Sequence, residues 1–339
     1  MGTDRRRPDR RAPAVRARSG RLSPAGWFLA ALLGAGLFAP LIANDRPLVA
    51  RIDGRIAFPA FGDLFHFGGV SLPSGRPDVT WDSPSGGVTI LIRTPLPWSF
   101  HGIRLEEALE PPGRRHWIGT DALGRDLLAR LIHGARISVL IGVGATLAAL
   151  GAGFAIGATA ALRGGLVDLA LVRLMDVFSC FPPFILALGI VAAGGRGGIW
   201  PVVAGIALNR WASMARYVRG EVIRQRSAEA WEAARAAGAA GPRLLLRHVL
   251  PLLAGPLAVL GSFGVVHAIV LEAGLSFVGF GVEPPAPSWG AMLAESRLTL
   301  DAAWWPVVAP AAALLLTLAA LGTAADRAGM PRRAAAPML

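Results

Sequence analysis

Residues 137–162 carry no charged side chain and are built largely from Gly, Ala and Leu. No other feature restricts the fold as strongly, because about 20 apolar residues in a helix cross the roughly 30 Å hydrocarbon core of a bilayer. In lipid the backbone must satisfy its own polar groups, which leaves the helix or the closed barrel. Five further segments follow suit. Residues 25–43 are uncharged, 167–193 hold charge only in their first ten positions, and 199–215, 250–274 and 304–323 are mostly apolar. Composition agrees, with 53% hydrophobic and 17% charged residues against about 25% charged in a soluble domain. The expected fold is an all-α integral membrane protein with six transmembrane helices.

Arginine bias orients these spans, since cytoplasmic loops hold the positive excess. The segment before Leu22 has eight Arg against two Asp, and residues 216–247 have seven Arg against three Glu. Arg327, Arg332 and Arg333 oppose Asp326 in the tail. Residues 44–136 balance eleven Arg with ten acids. An even number of spans with both termini in the cytoplasm fits. The N-terminal Arg run is read as the basic flank of the first span, in preference to a nucleic-acid arm or a cleaved leader.

The implied organisation is a basic cytoplasmic tail (1–24), a first span (25–43), an extracytoplasmic lobe (44–135), a membrane domain of five helices (136–327) and a C-terminal tail (328–339). The lobe is rich in Pro, Gly and Asp, and residues 88–94 read as a strand. In residues 120–133, Leu123, Leu127, Leu128, Leu131 and Ile132 share one helical face and Arg125, Asp126 and Arg130 the other. That pattern predicts an amphipathic helix, lying on the membrane surface or packed on the lobe.

Several function classes drop out. All 34 basic residues are Arg, so the chain lacks the lysine that a phosphate-binding P-loop or a Schiff base requires. One cysteine, Cys180, excludes a disulfide framework and a Cys-cluster metal site. The six histidines show no ligand spacing, so no metal site is expected.

Residues 227–251 stand apart. The stretch Ser227-Ala-Glu-Ala-Trp-Glu-Ala-Ala-Arg-Ala-Ala-Gly238 favours a short helix that Gly238 can stop, and Pro242 suits the first turn of the next one. An eight-to-ten-residue polar helix is marginal alone, since isolated helices below about 12–15 residues barely form. It is either an ordinary linker or a helix completed by a partner surface.

Its residues resemble a known segment. Glu232-Ala233-Ala234, then Gly238, then Leu250-Pro251 match the EAA loop of bacterial ABC importer permeases. Ile118-Gly-Thr-Asp-Ala-Leu-Gly-Arg-Asp126 looks like the family's "LGTDxxGRD" stretch, and Gly134-Ala-Arg136-Ile-Ser138 follows it as in the family. Leu275-Ser-Phe-Val-Gly-Phe-Gly281 and Pro287-Ser-Trp-Gly290 match segments after the fifth span. The chain is similar to the C-type subunit of dipeptide/oligopeptide permeases across about residues 20–330, and the start of its lobe, Ala43 to Pro59, looks like the microcin C and larger-peptide subgroup. Departures are Leu252 where the family has Asn, and an ending, residues 322–333, that keeps only fragments of the usual one.

The resemblance implies a permease subunit in the bacterial inner membrane. Its partners would be a second permease subunit, two ATP-binding subunits and an extracytoplasmic solute-binding protein, with no nucleic acid. ATP-Mg would sit on the partner subunits, leaving this chain without cofactor or catalytic residues. Glu232 would be the polar contact to the ATPase, Ala233 and Ala234 would permit close approach, Gly238 would allow the turn, and Arg235 would add rim charge beside Leu250 and Pro251. The alternative is an ion-gradient-driven secondary transporter or channel, for which Glu272 is the single midplane carboxylate. Arg173 and Asp176, three apart, are expected to pair with each other; Arg210 and Glu272 face the path or each other. Pro182 and Pro183 should kink the third span, and Trp304 and Trp305 should anchor at the interface.

Overall fold

The computed structural model describes residues 23–329, except 53, 66–87, 196–197, 228 and 237–240. Helices occupy all six apolar segments. α1 (Pro24–Leu37) and α2 (Ala39–Ile42) fill the first, broken before Pro40. α4 (Leu127–Arg163) fills the second, while α5 (Gly165–Cys180) and α6 (Pro183–Ala193) share the third. α7 (Ile199–Arg226), α10 (Leu250–Phe277) and α12 (Trp305–Gly329) complete the set.

Among the described residues, α4, α10 and α12 are individually long and apolar enough to cross a membrane. α5 and α6 qualify together, bent by 94° at Phe181-Pro182. That is a break and exceeds the expected kink: Pro182 and Pro183 lack N–H donors, so neither can bond back into α5. α1, with 14 residues, is about 21 Å long at 1.5 Å per residue. α7 is long enough, but its second half carries Arg216, Arg219, Glu221, Arg224 and Arg226.

α4 is the axis of the bundle. Its most extensive contact is with α7, followed by α10. Small residues make the first contact close: a Cβ on Gly153 would lie 2.5 Å from the Met214 Cβ, and one on Gly157 would collide with the Ala215 carbonyl. Such small-residue faces let helix backbones approach where lipid offers no hydrophobic drive. Ile141, Val202, Ile206 and Ala268 form the centre of the core.

The lobe contains a three-stranded antiparallel sheet, β1 (Val49–Ile52), β2 (Arg55–Ala57) and β3 (Val88–Ile92), in the order β2-β1-β3. A one-turn helix, α3 (Pro59–Gly62), follows β2. The amphipathic helix expected over 120–133 does not form as such. Residues 120–126 are a turn closed by a bridge between Thr120 and Asp126, and α4 starts at Leu127. Asp126 stops the helix from extending upstream, because its Oδ1 accepts from Ala129 N at 2.7 Å as an N-cap. The "polar face" is buried: Arg125 and Arg130 are 7% and 2% exposed. The periodicity suggested a helix, on the membrane surface or packed on the lobe, because charges paired inside the protein leave the same pattern as charges facing water.

Candidate functional site

The segment singled out in the sequence lies at the C-terminal end of α4. α8 (Glu229–Ala236) follows α7, and α9 (Gly241–Leu244) leads through a π-helical turn, Leu245–Val249, into α10. The π turn has a local cause. Pro251 has no N–H to give the Arg247 carbonyl, and the N–H of Leu250 reaches back five residues to Leu245.

Among the described side chains of α8, Trp231 is the buried one. Trp231 is buried against Val218 and Val222 of α7, Ala158 and Ala161 of α4, and Leu244, Leu245 and Val249 beyond the turn. This cluster joins the ends of four helices through one indole. Beside it, Arg226 donates to the Ala161 carbonyl, one of the last four α4 carbonyls left without a helical partner. The segment therefore cannot move without carrying the ends of α4 and α7 with it.

Glu232, next in sequence to the anchor, is exposed. Among the described residues it has no hydrogen bond or ion pair. Its position in the first turn of α8 complements the positive end of the helix dipole. Ala233, Ala234 and Arg235 continue α8; their side chains, and Gly238 altogether, lie outside the described residues. Leu250 is half-buried and Pro251 exposed at the start of α10. The structure thus leaves two acids of α8, Glu229 and Glu232, exposed, the second next in sequence to a buried anchor. Trp231 went unassigned in the sequence, where the signal was available: one aromatic in an otherwise Ala- and Glu-rich helix.

The ionic contacts of the inner helices are also rearranged from expectation. Asp168 is gripped by both Nε and Nη2 of Arg219 at 2.6 Å, and Asp176 takes Arg216 at 3.1 Å while Arg173 stands at 3.9 Å. The local Arg173–Asp176 pair is thus secondary to bonds that tie α5 to α7. Glu272 and Arg210 do not pair. Glu272 is fully buried and accepts from Ser276 Oγ at 2.7 Å.

At the opposite end of α4 the "LGTDxxGRD" stretch builds a second constellation. Asp121 accepts from Arg125 Nε at 2.7 Å and Arg130 Nη1 at 2.5 Å, and both arginines also reach Glu295 of α11 (Trp289–Ser296). Gly124, at φ +70°, is required there, since a Cβ would collide with the Arg104 carbonyl. His116 gives Nδ1 to Asp126 at 2.8 Å and faces Glu107 with Nε2 at 3.2 Å. Ligand atoms of Glu107, Glu110 and His116 come within 4.8 Å of one another, a convergence that histidine spacing did not signal. Arg115, 2.6 Å from Glu107, already meets the charge of that carboxylate.

Comparison with known proteins decides the family. The model for the binding-protein-dependent transport system inner membrane component matches residues 153–329. The chain belongs to that family. A putative peptide permease protein of Brucella suis is 40% identical over 68% of this chain and 77% of its own. The di/tripeptide transport system permease protein of Pseudomonas aeruginosa is 39% identical over 64% and 72%, and the oligopeptide transport system permease protein of Mycobacterium tuberculosis 35% over 68% and 80%. Among solved structures, the MetNI methionine ABC transporter in an inward-facing conformation shares the fold, with a TM-score of 0.50 at 16% identity, over 59% of this chain and 95% of that one. The protein is a membrane-spanning permease component of an ABC importer, and the ATPase of such a system resides on other subunits.

Proposed function

We propose that this permease component imports peptides, that it pairs with a second permease subunit, and that two ATP-binding subunits drive it through the segment 227–251. An extracytoplasmic solute-binding protein delivers the substrate and sets peptide length. The chain lies in the bacterial inner membrane with both termini in the cytoplasm. It carries no catalytic residue and no cofactor of its own, ATP-Mg being held by the partner subunits. The names of the relatives support the substrate class, and the arginine-rich inner segment supports the orientation.

One observation carries the coupling role: exposed Glu232 sits beside buried Trp231, whose pocket joins α4, α7 and α10. A nucleotide-driven displacement of a surface around Glu232 is thereby transmitted to three helices as a rigid body, the physical requirement for a two-state membrane gate. Ala233, Ala234, Arg235 and Gly238 complete the contact, and Leu250 and Pro251 form the joint to α10.

The test is uptake of labelled di- and tripeptides into vesicles holding the assembled transporter. Uptake is expected to need ATP and the ATP-binding subunits, and Gly238→Pro is expected to abolish it while membrane insertion stays normal. Uptake by this chain without a nucleotide-hydrolysing subunit would overturn the reading. So would unchanged uptake and ATPase stimulation in the Gly238→Pro transporter.

A further inference from the structure

An apolar groove of about 460 Å³ runs along the outside of the bundle between α1, α4 and α12. Its lining on α12 spans Trp305 to Leu316, about 17 Å of helix at 1.5 Å per residue. That length is close to one leaflet of a hydrocarbon core about 30 Å thick. The groove takes in the beginning of α4, at Leu131 and Ala135, whereas the coupling segment packs on the end of α4. It therefore lies in the leaflet opposite that segment.

The floor is preformed. Trp289 is fully buried and gives its indole N–H to the Leu131 carbonyl at 3.1 Å, and Trp305 gives its own to the Thr120 carbonyl at 3.1 Å. The rim is indole: Trp117 and Trp304 are 66% and 61% exposed, the amphipathic ring type that settles at headgroup level. Above the rim, the N–H of Gly113 bonds the His116 carbonyl at 2.8 Å, closing a tight turn whose flanks, Pro112 and Trp117, both line the groove. Arg114 stands at the tip of that turn, exposed and without an ion pair among the described residues, while neighbouring Arg115 is engaged by Glu107.

A leaflet-deep apolar slot, an indole collar and one open cation on the turn between lining residues Pro112 and Trp117 match a single ligand chemistry. We infer that this groove holds one anionic phospholipid, an acyl chain against α1 and α12 and the phosphate at Arg114. The inference is independent of which solute the transporter carries.

The experiment equilibrates the full chain in detergent with vesicles of equimolar phosphatidylglycerol and phosphatidylcholine, then quantifies the co-purifying lipid by mass spectrometry. Phosphatidylglycerol is expected to be retained about 5-fold over phosphatidylcholine, as one arginine near an anionic surface provides. Arg114→Gln, on an exposed turn, should bring that ratio to one. Ala312→Trp, which fills the groove from an exposed lining position, should remove retained lipid of both kinds. No selective retention in the wild type, or retention untouched by either substitution, overturns the inference. A photoreactive residue at position 316 gives a second measurement in cells: a lipid adduct supports the site, and an adduct with polypeptide alone overturns it.

Discussion

The two ends of α4 are built on opposite plans. At its start, Asp121, Arg125 and Arg130 form a buried ionic knot that reaches the partly exposed Glu295, beside the Asp126 cap and its partner His116, with Gly124 fitted against the Arg104 backbone. At its end, the eight-residue α8 buries Trp231 and leaves its acids, Glu229 and Glu232, exposed. Buried charges tolerate little displacement, because separating them exposes each to the desolvation cost the other offsets. An apolar anchor is non-directional, so the indole can shift together with its pocket and stay attached. The first end suits a fixed frame, and the second a part that receives motion from outside.

Asp121→Ala is the most severe way to break this contrast. It leaves the buried Arg125 and Arg130 sharing Glu295 as their one remaining carboxylate of the knot, and removal of one member of such a group costs about 3–5 kcal/mol. A large drop in the unfolding midpoint of the purified chain is expected, and a drop of a degree or less would show that the knot is not a frame.

Trp231→Ala should be nearly as costly but confined to one place. Truncating a buried aromatic costs on the order of 3 kcal/mol, here expressed as α8 opening from the bundle. Amide exchange in α8 should rise about 100-fold while exchange in the middle of α4 stays as it was. A uniform rise along α4 would mean that the anchor belongs to the frame.

Glu232→Ala separates function from stability. An exposed residue without described partners should change stability by no more than about 0.5 kcal/mol, yet peptide-stimulated ATP hydrolysis by the assembled transporter should fall sharply. Equal hydrolysis in the variant would remove Glu232 from the coupling contact. The smallest effect is expected for Asp168→Asn. Its bond to Arg219 is partly exposed, and such pairs contribute about 0–1 kcal/mol, so a shift beyond that range would add α5 to the rigid frame.

Much of this was legible in the chain. Charge-free runs located the helices, because the period and length of apolar residues are local properties that a bilayer reads directly. A short polar helix followed by a second one was legible too, as α8 (Glu229–Ala236) and α9 (Gly241–Leu244), while Gly238 lies outside the described residues. The role of Trp231 was not: its pocket is assembled from residues 158, 161, 218, 222, 244 and 249, which only folding brings together. The same holds for Asp168 and Asp176. The nearest arginine in sequence is Arg173, but the antiparallel packing of α5 on α7 presents Arg219 and Arg216 instead.

Residues 120–133 mark the boundary most clearly. Their alternation of leucines and charges was correct as a pattern, but it was read as one continuous helix on the membrane surface or on the lobe, since sequence gives polarity without saying whether water or a partner charge meets it. Hydropathy alone determined that the chain crosses a membrane. Tertiary structure alone decided which charges are buried in pairs, which carboxylate stays open, and where a groove is left for lipid, because each depends on distances between helices remote in sequence.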